Sequence, residues 1–304
     1  MTGPTAVGKT ELSLNWAERN DAEILSCDSL LFYKHMNIGT AKPSQLELGR
    51  VPHHGIDLVE PDMRYDVGAF IEYAQGAIRD IHARGKRVLV TGGSGFYLKA
   101  FFEAVTDTIE IPDSIKTRVL AVFDSGGNEA VLEALRSIPG NSLEHLDTHN
   151  PRRTVPALER CLASGLTLQQ QRAQFAEAKS AFSEYEKHTV VLTRDRDALA
   201  QRIEIRVDQM LEAGLVEEVK VLRKLGFEKN TSTARSIGYR EVIAWLNGKI
   251  DNEAAMREQI IINTRQLARK QRIWLKGQIP ADQTIDLDRV TSQEALEAMQ
   301  LGGA

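Results

Sequence analysis

The eight residues Gly3-Pro4-Thr5-Ala6-Val7-Gly8-Lys9-Thr10 constrain this chain more than any others. They fit the pattern G-x-x-x-x-G-K-[ST] at every fixed position. In such a loop the glycines let successive backbone N–H groups turn inward on a phosphate. The helix expected next, about Lys9 to Arg19, directs the positive end of its dipole at the same point. Lys9 adds a full charge, and Thr10 offers a hydroxyl to a magnesium ion. Leu12, Leu14, Trp16 and Ala17 supply the apolar pattern the helix needs. A phosphate loop ordinarily follows a buried strand, yet only Met1 and Thr2 precede Gly3. That strand is expected to lie upstream of Met1, since its loss would orphan the hydrogen bonds of its neighbours.

Short apolar runs follow, each ending in polar or glycine residues. Glu23–Ser26 leads into Cys27-Asp28-Ser29, Arg87–Thr91 into Gly92-Gly93-Ser94-Gly95, and His188–Leu192 into Thr193-Arg194-Asp195. Such runs read as buried parallel strands. A helix over about Val67 to Arg84 lies between the first two, with Phe70, Ala74, Ala77, Ile78 and Ile81 on one face. Alternating strands and helices predict an α/β fold, a phosphate-loop-type parallel sheet flanked by helices. Ligands in such sheets sit beyond the carboxyl ends of the strands, where Lys9, Asp28 and Ser94 would converge.

From about Pro112 to Lys187 the strand signals fade, and helices are expected at Ser114–Phe123, Asn128–Ile138, Arg153–Ala163 and Gln169–Ala181. The expected organisation is thus a catalytic core of residues 1–111 and 188–304, interrupted by a mostly helical insertion of residues 112–187. Later helices are expected at Arg196–Leu225, Ala234–Leu246 and Glu253–Trp274, and a short one near Gln293–Met299.

Composition narrows the function classes. No run approaches the roughly 20 apolar residues of a membrane span, and no secretory leader is visible. The two cysteines, Cys27 and Cys161, cannot form a disulfide framework or a four-cysteine zinc site. A cytoplasmic, monomeric protein with no membrane contact is expected. The net charge of −4 argues against non-specific coating of nucleic acid. Yet Arg257, Arg265, Arg269, Lys270, Arg272 and Lys276 crowd one segment against a single acid, Glu258. Of these, Arg265, Arg269, Arg272 and Lys276 recur at helical spacing on one face. Trp274 could anchor that helix in the core or stack on a base. Adjacent His53 and His54 would point to opposite faces of a strand and are read as structural.

Several segments, in order, resemble the tRNA dimethylallyltransferases: the phosphate loop, Asp28 through Pro43, Gly92-Gly93-Ser94-Gly95-Phe96-Tyr97-Leu98, Asn150 with Arg152 and Arg153, Arg235 through Arg240, and Thr264 through Lys276. The resemblance spans almost the whole chain. It implies transfer of a dimethylallyl group from dimethylallyl diphosphate to the exocyclic N6 of the adenosine 3′ to the anticodon in certain tRNAs. The loop from Gly3 through Pro4, Thr5, Ala6, Val7 and Gly8 to Lys9 and Thr10 would then grip the diphosphate, with Mg2+ at Thr10. Asp28 would be the general base, and Lys9, Thr10 and Ser94 would complete the catalytic set. The resemblance further implies tRNA contacts at Asp28, Ser29, Leu30, Leu31 and Ser94, at Lys116, Arg152 and Arg153 of the insertion, and at Arg235, Ser236, Ile237, Gly238, Tyr239 and Arg240. Arg269, Lys270, Arg272 and Lys276 complete that set.

The chemistry is consistent with those roles. An adenine N6 is a poor nucleophile, its lone pair being delocalised into the ring, so a placed carboxylate helps by taking its proton. The departing diphosphate must be met by cations and backbone dipoles. This chain departs from the family pattern at Ser94, where threonine is usual, at Asn37 for aspartate, and at Pro156 where an arginine often stands. A nucleotide kinase or ATPase would explain the phosphate loop but not the Asp28–Pro43 segment or the basic helix. Prenyl transfer to a free adenine nucleotide would not need the helical insertion. A non-catalytic RNA-binding module would not need Lys9, Thr10 and Asp28 together.

Overall fold

The computed structural model describes residues 1–107 and 109–299. It divides into two compact units, Met1–Phe102 with Ala181–Ala304, and Glu103–Ser180. The change of texture in the sequence places these boundaries at Pro112 and Lys187.

The first unit begins with α1 (Lys9–Arg19), β1 (Ala22–Ser26), α2 (Gln45–Arg50), β2 (His53–His54), α3 (Val67–Ala83), β3 (Arg87–Thr91) and α4 (Gly95–Lys99). All five residues of β1 are buried, as in a strand covered on both faces. It pairs in parallel with β2 on one side and β3 on the other. Glu23 of β1 is only 5% exposed. Its charge is met by Arg84 at 2.7 and 3.0 Å and by His54 Nε2 at 2.6 Å. The Asp66 side chain caps α3 by accepting the Ala69 N–H, and the face Phe70, Ala74, Ala77, Ile78 and Ile81 is buried. Each large side chain so buried is worth about 1.5–3 kcal/mol.

The second unit holds α5 (Asp113–Arg136), α6 (Pro151–Ser164) and α7 (Leu168–Glu177). Within α5 the two helices expected at 114–123 and 128–138 are both present, parted at Gly126-Gly127, whose backbone leaves the helical region. Asn150 caps α6, with Pro151 in its first turn and Pro156 inside it. Val119, Val131, Leu132, Leu135, Ala157, Leu158 and Cys161 form a core of the unit's own.

The chain returns to the first unit through β4 (Val190–Thr193), α8 (Arg196–Glu212), α9 (Leu215–Lys224), α10 (Thr231–Ala234), α11 (Tyr239–Leu246), α12 (Glu253–Gln278), β5 (Gln283–Asp286) and α13 (Ser292–Ala298). Two expected helices are corrected. Residues 196–225 form α8 and α9, because Gly214 takes the left-handed φ of 97° and turns the chain. Residues 234–246 divide into α10 and α11 at Gly238. Strand β5, parallel to β4, was not expected, since Gln-Thr-Ile-Asp holds a single apolar residue.

The two residues ahead of the phosphate loop lie in the middle of the sheet. Thr2 bridges in parallel to Gly92 after β3 and to Val191 of β4. Its N–H donates to Val190 O at 2.9 Å, and its carbonyl accepts from Leu192 N–H at 2.7 Å. The Met1 nitrogen donates to Val90 O at 2.9 Å. Two residues thus join β2-β1-β3 to β4-β5 at the carboxyl edge, where the phosphate loop leaves the sheet.

Candidate active site

The phosphate loop runs from that central bridge into α1. Ala6 and Gly8 both have positive φ, 62° and 115°. The loop's carbonyls are engaged by cations. Lys9 Nζ donates to Gly3 O at 2.9 Å and Pro4 O at 3.0 Å. Arg202 Nε of α8 donates to Ala6 O at 2.8 Å, and Arg194 Nε, after β4, to Val7 O at 3.1 Å. Of the N–H groups joined to these carbonyls, that of Thr5 donates to Gln271 and that of Val7 to Pro4 O, and Pro4 has none. Helix α1 has no side-chain cap at its first turn, leaving those N–H groups for a ligand.

Asp28 follows β1 directly. Its Oδ1 accepts the Leu30 N–H at 3.2 Å and lies 3.5 Å from the Ser94 hydroxyl. Ser94 Oγ in turn accepts the Ser29 N–H at 2.9 Å. The serine standing where threonine is usual therefore ties the two strand-end loops together. Charge in the cleft is partly desolvated. Burial lowers the Lys9 pKa to about 8, opposed by Asp28 and reinforced by Arg206. Burial likewise lowers the Arg206 pKa, opposed by Asp28 and reinforced by Arg202.

One cleft of about 1070 Å3 is lined by Thr5 through Thr10, by Asp28 through Leu31, and by Ser94. Arg235, Ser236, Ile237 and Gly238 line it as well, and so does His53. Gly3 and Pro4 belong to the loop but not to the cleft wall. Tyr239 is wholly buried, its hydroxyl donating to Glu218 Oε1 at 2.7 Å. Arg240 turns to Glu241 at 2.5 Å. Arg269, Lys270, Arg272 and Lys276 are exposed on α12 and make no ion pair among the described residues. Arg265, on the same expected face, is instead paired with Glu204 of α8. Lys116, Arg152 and Arg153 are exposed on α5 and α6 of the second unit, Lys116 pairing with Asp113 at 2.9 Å.

Three cleft residues escaped the sequence reading. Arg202 and Arg206 stand four apart on α8, a spacing that marks one helical face but not what that face meets. Gln271 lies inside a segment already singled out. Its Oε1 accepts the Thr5 N–H at 2.8 Å and its Nε2 donates to Gly93 O at 2.9 Å, joining the phosphate loop to the loop after β3. Beside it, a Cβ on Gly95 would lie 2.5 Å from the Trp274 ring, so only glycine lets α4 sit flush on α12. Trp274 is therefore half-buried packing, not an open stacking platform.

Comparison with known proteins places the chain among its relatives. The family model described as IPP transferase matches residues 31–278. A tRNA dimethylallyltransferase of Opitutus terrae is 48% identical over 286 residues, covering 94% of this chain and 92% of that protein. A tRNA dimethylallyltransferase 2 of Geotalea daltonii is 38% identical over 274 residues, 90% of this chain and 83% of its own. A tRNA isopentenylpyrophosphate transferase structure from Staphylococcus epidermidis superposes with a TM-score of 0.68 at 31% identity, covering 97% of this chain and 94% of that one. A eukaryotic dimethylallyltransferase solved acting on tRNA gives 0.81 at 26%, covering 97% and 76%. The fold is thus that of an α/β group-transferring enzyme, a prenyltransferase. Within that class the chain belongs to the IPP transferase family.

Proposed function

We infer that the protein transfers a dimethylallyl group from dimethylallyl diphosphate to N6 of the adenosine 3′ to the anticodon of tRNA. The observation that carries this reading is the placing of Asp28 in one cleft with the phosphate loop, Lys9 and Arg206. The N6 lone pair bonds to C1 of the allyl group, the C1–O bond breaks, and its electron pair leaves on diphosphate. Asp28 takes the N6 proton as the new bond forms. Lys9, Arg206 and the N–H groups at the start of α1 meet the charge that develops on the diphosphate. Ser94 holds the Asp28 loop in place.

Thr10 is an exposed hydroxyl in the cleft wall, and Asp28 faces the same space. Such hard oxygen donors suit magnesium, which Thr10 would hold and which would add positive charge beside the diphosphate. The acceptor base must leave its stack to reach a carboxylate inside a cleft, at a cost of a few kcal/mol. Exposed Arg269, Lys270, Arg272 and Lys276 supply phosphate contacts that offset it, and Lys116, Arg152 and Arg153 supply others.

The reading is tested by incubating the protein with labelled dimethylallyl diphosphate and unmodified tRNA, then analysing nucleosides. The label is expected on the N6 of adenosine, without ATP hydrolysis. An unlabelled tRNA, or ATP turnover stimulated by tRNA, would overturn it.

A further inference from the structure

Glu218 of α9 is 181 residues from Asn37 in sequence, yet its carboxylate accepts three successive backbone N–H groups there. Asn37 donates at 2.9 Å, Ile38 at 2.7 Å and Gly39 at 3.1 Å. A fourth hydrogen bond comes from the Tyr239 hydroxyl at 2.7 Å. The Tyr239 ring lies so close that a Cβ on Gly39 would sit 2.6 Å from it. Charge-assisted bonds of this kind are about twice as strong as neutral ones.

The segment they hold is one that would not rest there unaided. His35, two residues before it, and Ala41, within it, have left-handed φ of 64° and 48°. Each such non-glycine residue costs of order 1 kcal/mol and persists only where its surroundings over-determine it. Lys42 adds a second strap, its side chain 4% exposed and donating to Tyr33 O at 2.8 Å and Asp57 at 2.5 Å.

This segment is a wall. Gly39 and Thr40 line the reaction cleft, whereas Asn37, Ile38 and Lys42 line a second, more open hollow of about 710 Å3. Ala41, Pro43, Arg206 and Met210 border both. Were the wall to loosen, the two spaces would join beside Arg206, opening a second side of the cleft to solvent.

We propose that Glu218 is a positioning residue that holds Asn37–Pro43 as a wall between the cleft and the outer hollow, keeping water from the dimethylallyl group as its bond to diphosphate breaks. The inference rests on the prenyl-transfer reading. Closed sites protect reactive intermediates from hydrolysis in this way. The reaction prevented is balanced: a water oxygen bonds to C1, the C1–O bond breaks with its pair leaving on diphosphate, and the water proton passes to solvent. The products are dimethylallyl alcohol and diphosphate.

The test counts label in tRNA and in dimethylallyl alcohol, at saturating tRNA, for the full chain and for Glu218→Ala and Tyr239→Phe. Glu218→Ala is expected to raise the ratio of alcohol to transferred label by about five-fold, and Tyr239→Phe, losing one hydrogen bond of four, by about two-fold. The rate of alcohol release per folded molecule should also rise. Partial unfolding lowers both products together and leaves their ratio unmoved, so a merely structural role gives no change. An unchanged ratio in folded Glu218→Ala overturns the proposal. If that variant does not fold, an unchanged ratio in Tyr239→Phe does so. Failure of the unaltered protein to label tRNA would sink the prenyl-transfer reading instead.

Discussion

The cations of this protein fall into two environments. Those around the cleft, Lys9 and Arg206, are taken out of water, and burial lowers the pKa of both. Those of α12 and of the helical unit, Arg269, Lys270, Arg272, Arg152 and Arg153, stand in solvent. A desolvated charge acts strongly at short range, which suits a departing diphosphate. A solvated charge acts mainly by releasing counterions from a polyanion, which suits holding RNA. Proton transfer and leaving-group stabilisation should therefore be lost at the cleft, and salt-dependent affinity at the exposed face.

The sharpest break in that comparison is Asp28→Ala. Turnover should fall by roughly 10²–10⁴, the usual worth of a general base, while tRNA affinity stays nearly intact. Turnover within a few-fold of the unaltered protein would move the base elsewhere. Lys9→Ala comes next. Losing one preorganised donor to a developing anion costs about 10²–10³ in kcat, and single-turnover rates at saturating tRNA would measure it. Equal loss of tRNA affinity would blur the distinction between the two environments.

Charge reversal at Arg269 and Arg272 together should weaken tRNA binding and flatten its salt dependence, by about 0.7–0.9 log unit of slope per lost phosphate contact. Binding of the prenyl diphosphate should be unaffected. An unchanged salt slope would show that this face is only solvated. The mildest effect is one of pH. Lys9 in the free protein titrates near 8, below the usual 10.5. A bound diphosphate favours its charged form, so above about pH 8 binding must recapture a proton, and affinity should drop by up to ten-fold per pH unit. Below pH 8 Lys9 is already charged and contributes no slope. A flat affinity between pH 8 and 9, followed by calorimetry, would remove Lys9 from the anion site.

Much of this was legible in the chain. The phosphate loop, the two strands that end at Asp28 and Ser94, and the amphipathic face of α3 are local patterns, readable because period and turn chemistry act over a few residues. The helix breaks at Gly214 and Gly238 were not. An apolar period continues across each of them, and only the backbone conformation shows that the helix has stopped. Strand β5 escaped because pairing with β4 confers an order that its own four residues do not signal.

By itself, the sequence determined a glycine-rich loop opening a helix, a carboxylate at the end of the next strand and which family of enzymes the chain joins. These follow from residues adjacent along the chain, whose backbone geometry and charge act together wherever the chain goes. The tertiary structure alone decided that Arg202 and Arg206 face the phosphate loop and that Gln271 clasps two loops. It also decided that Met1 and Thr2 bridge the sheet and that Glu218 holds a strained wall 181 residues away. Each of those contacts joins distant segments. A helix reports only the direction in which a side chain leaves its axis, and what waits there depends on how the rest of the chain packs.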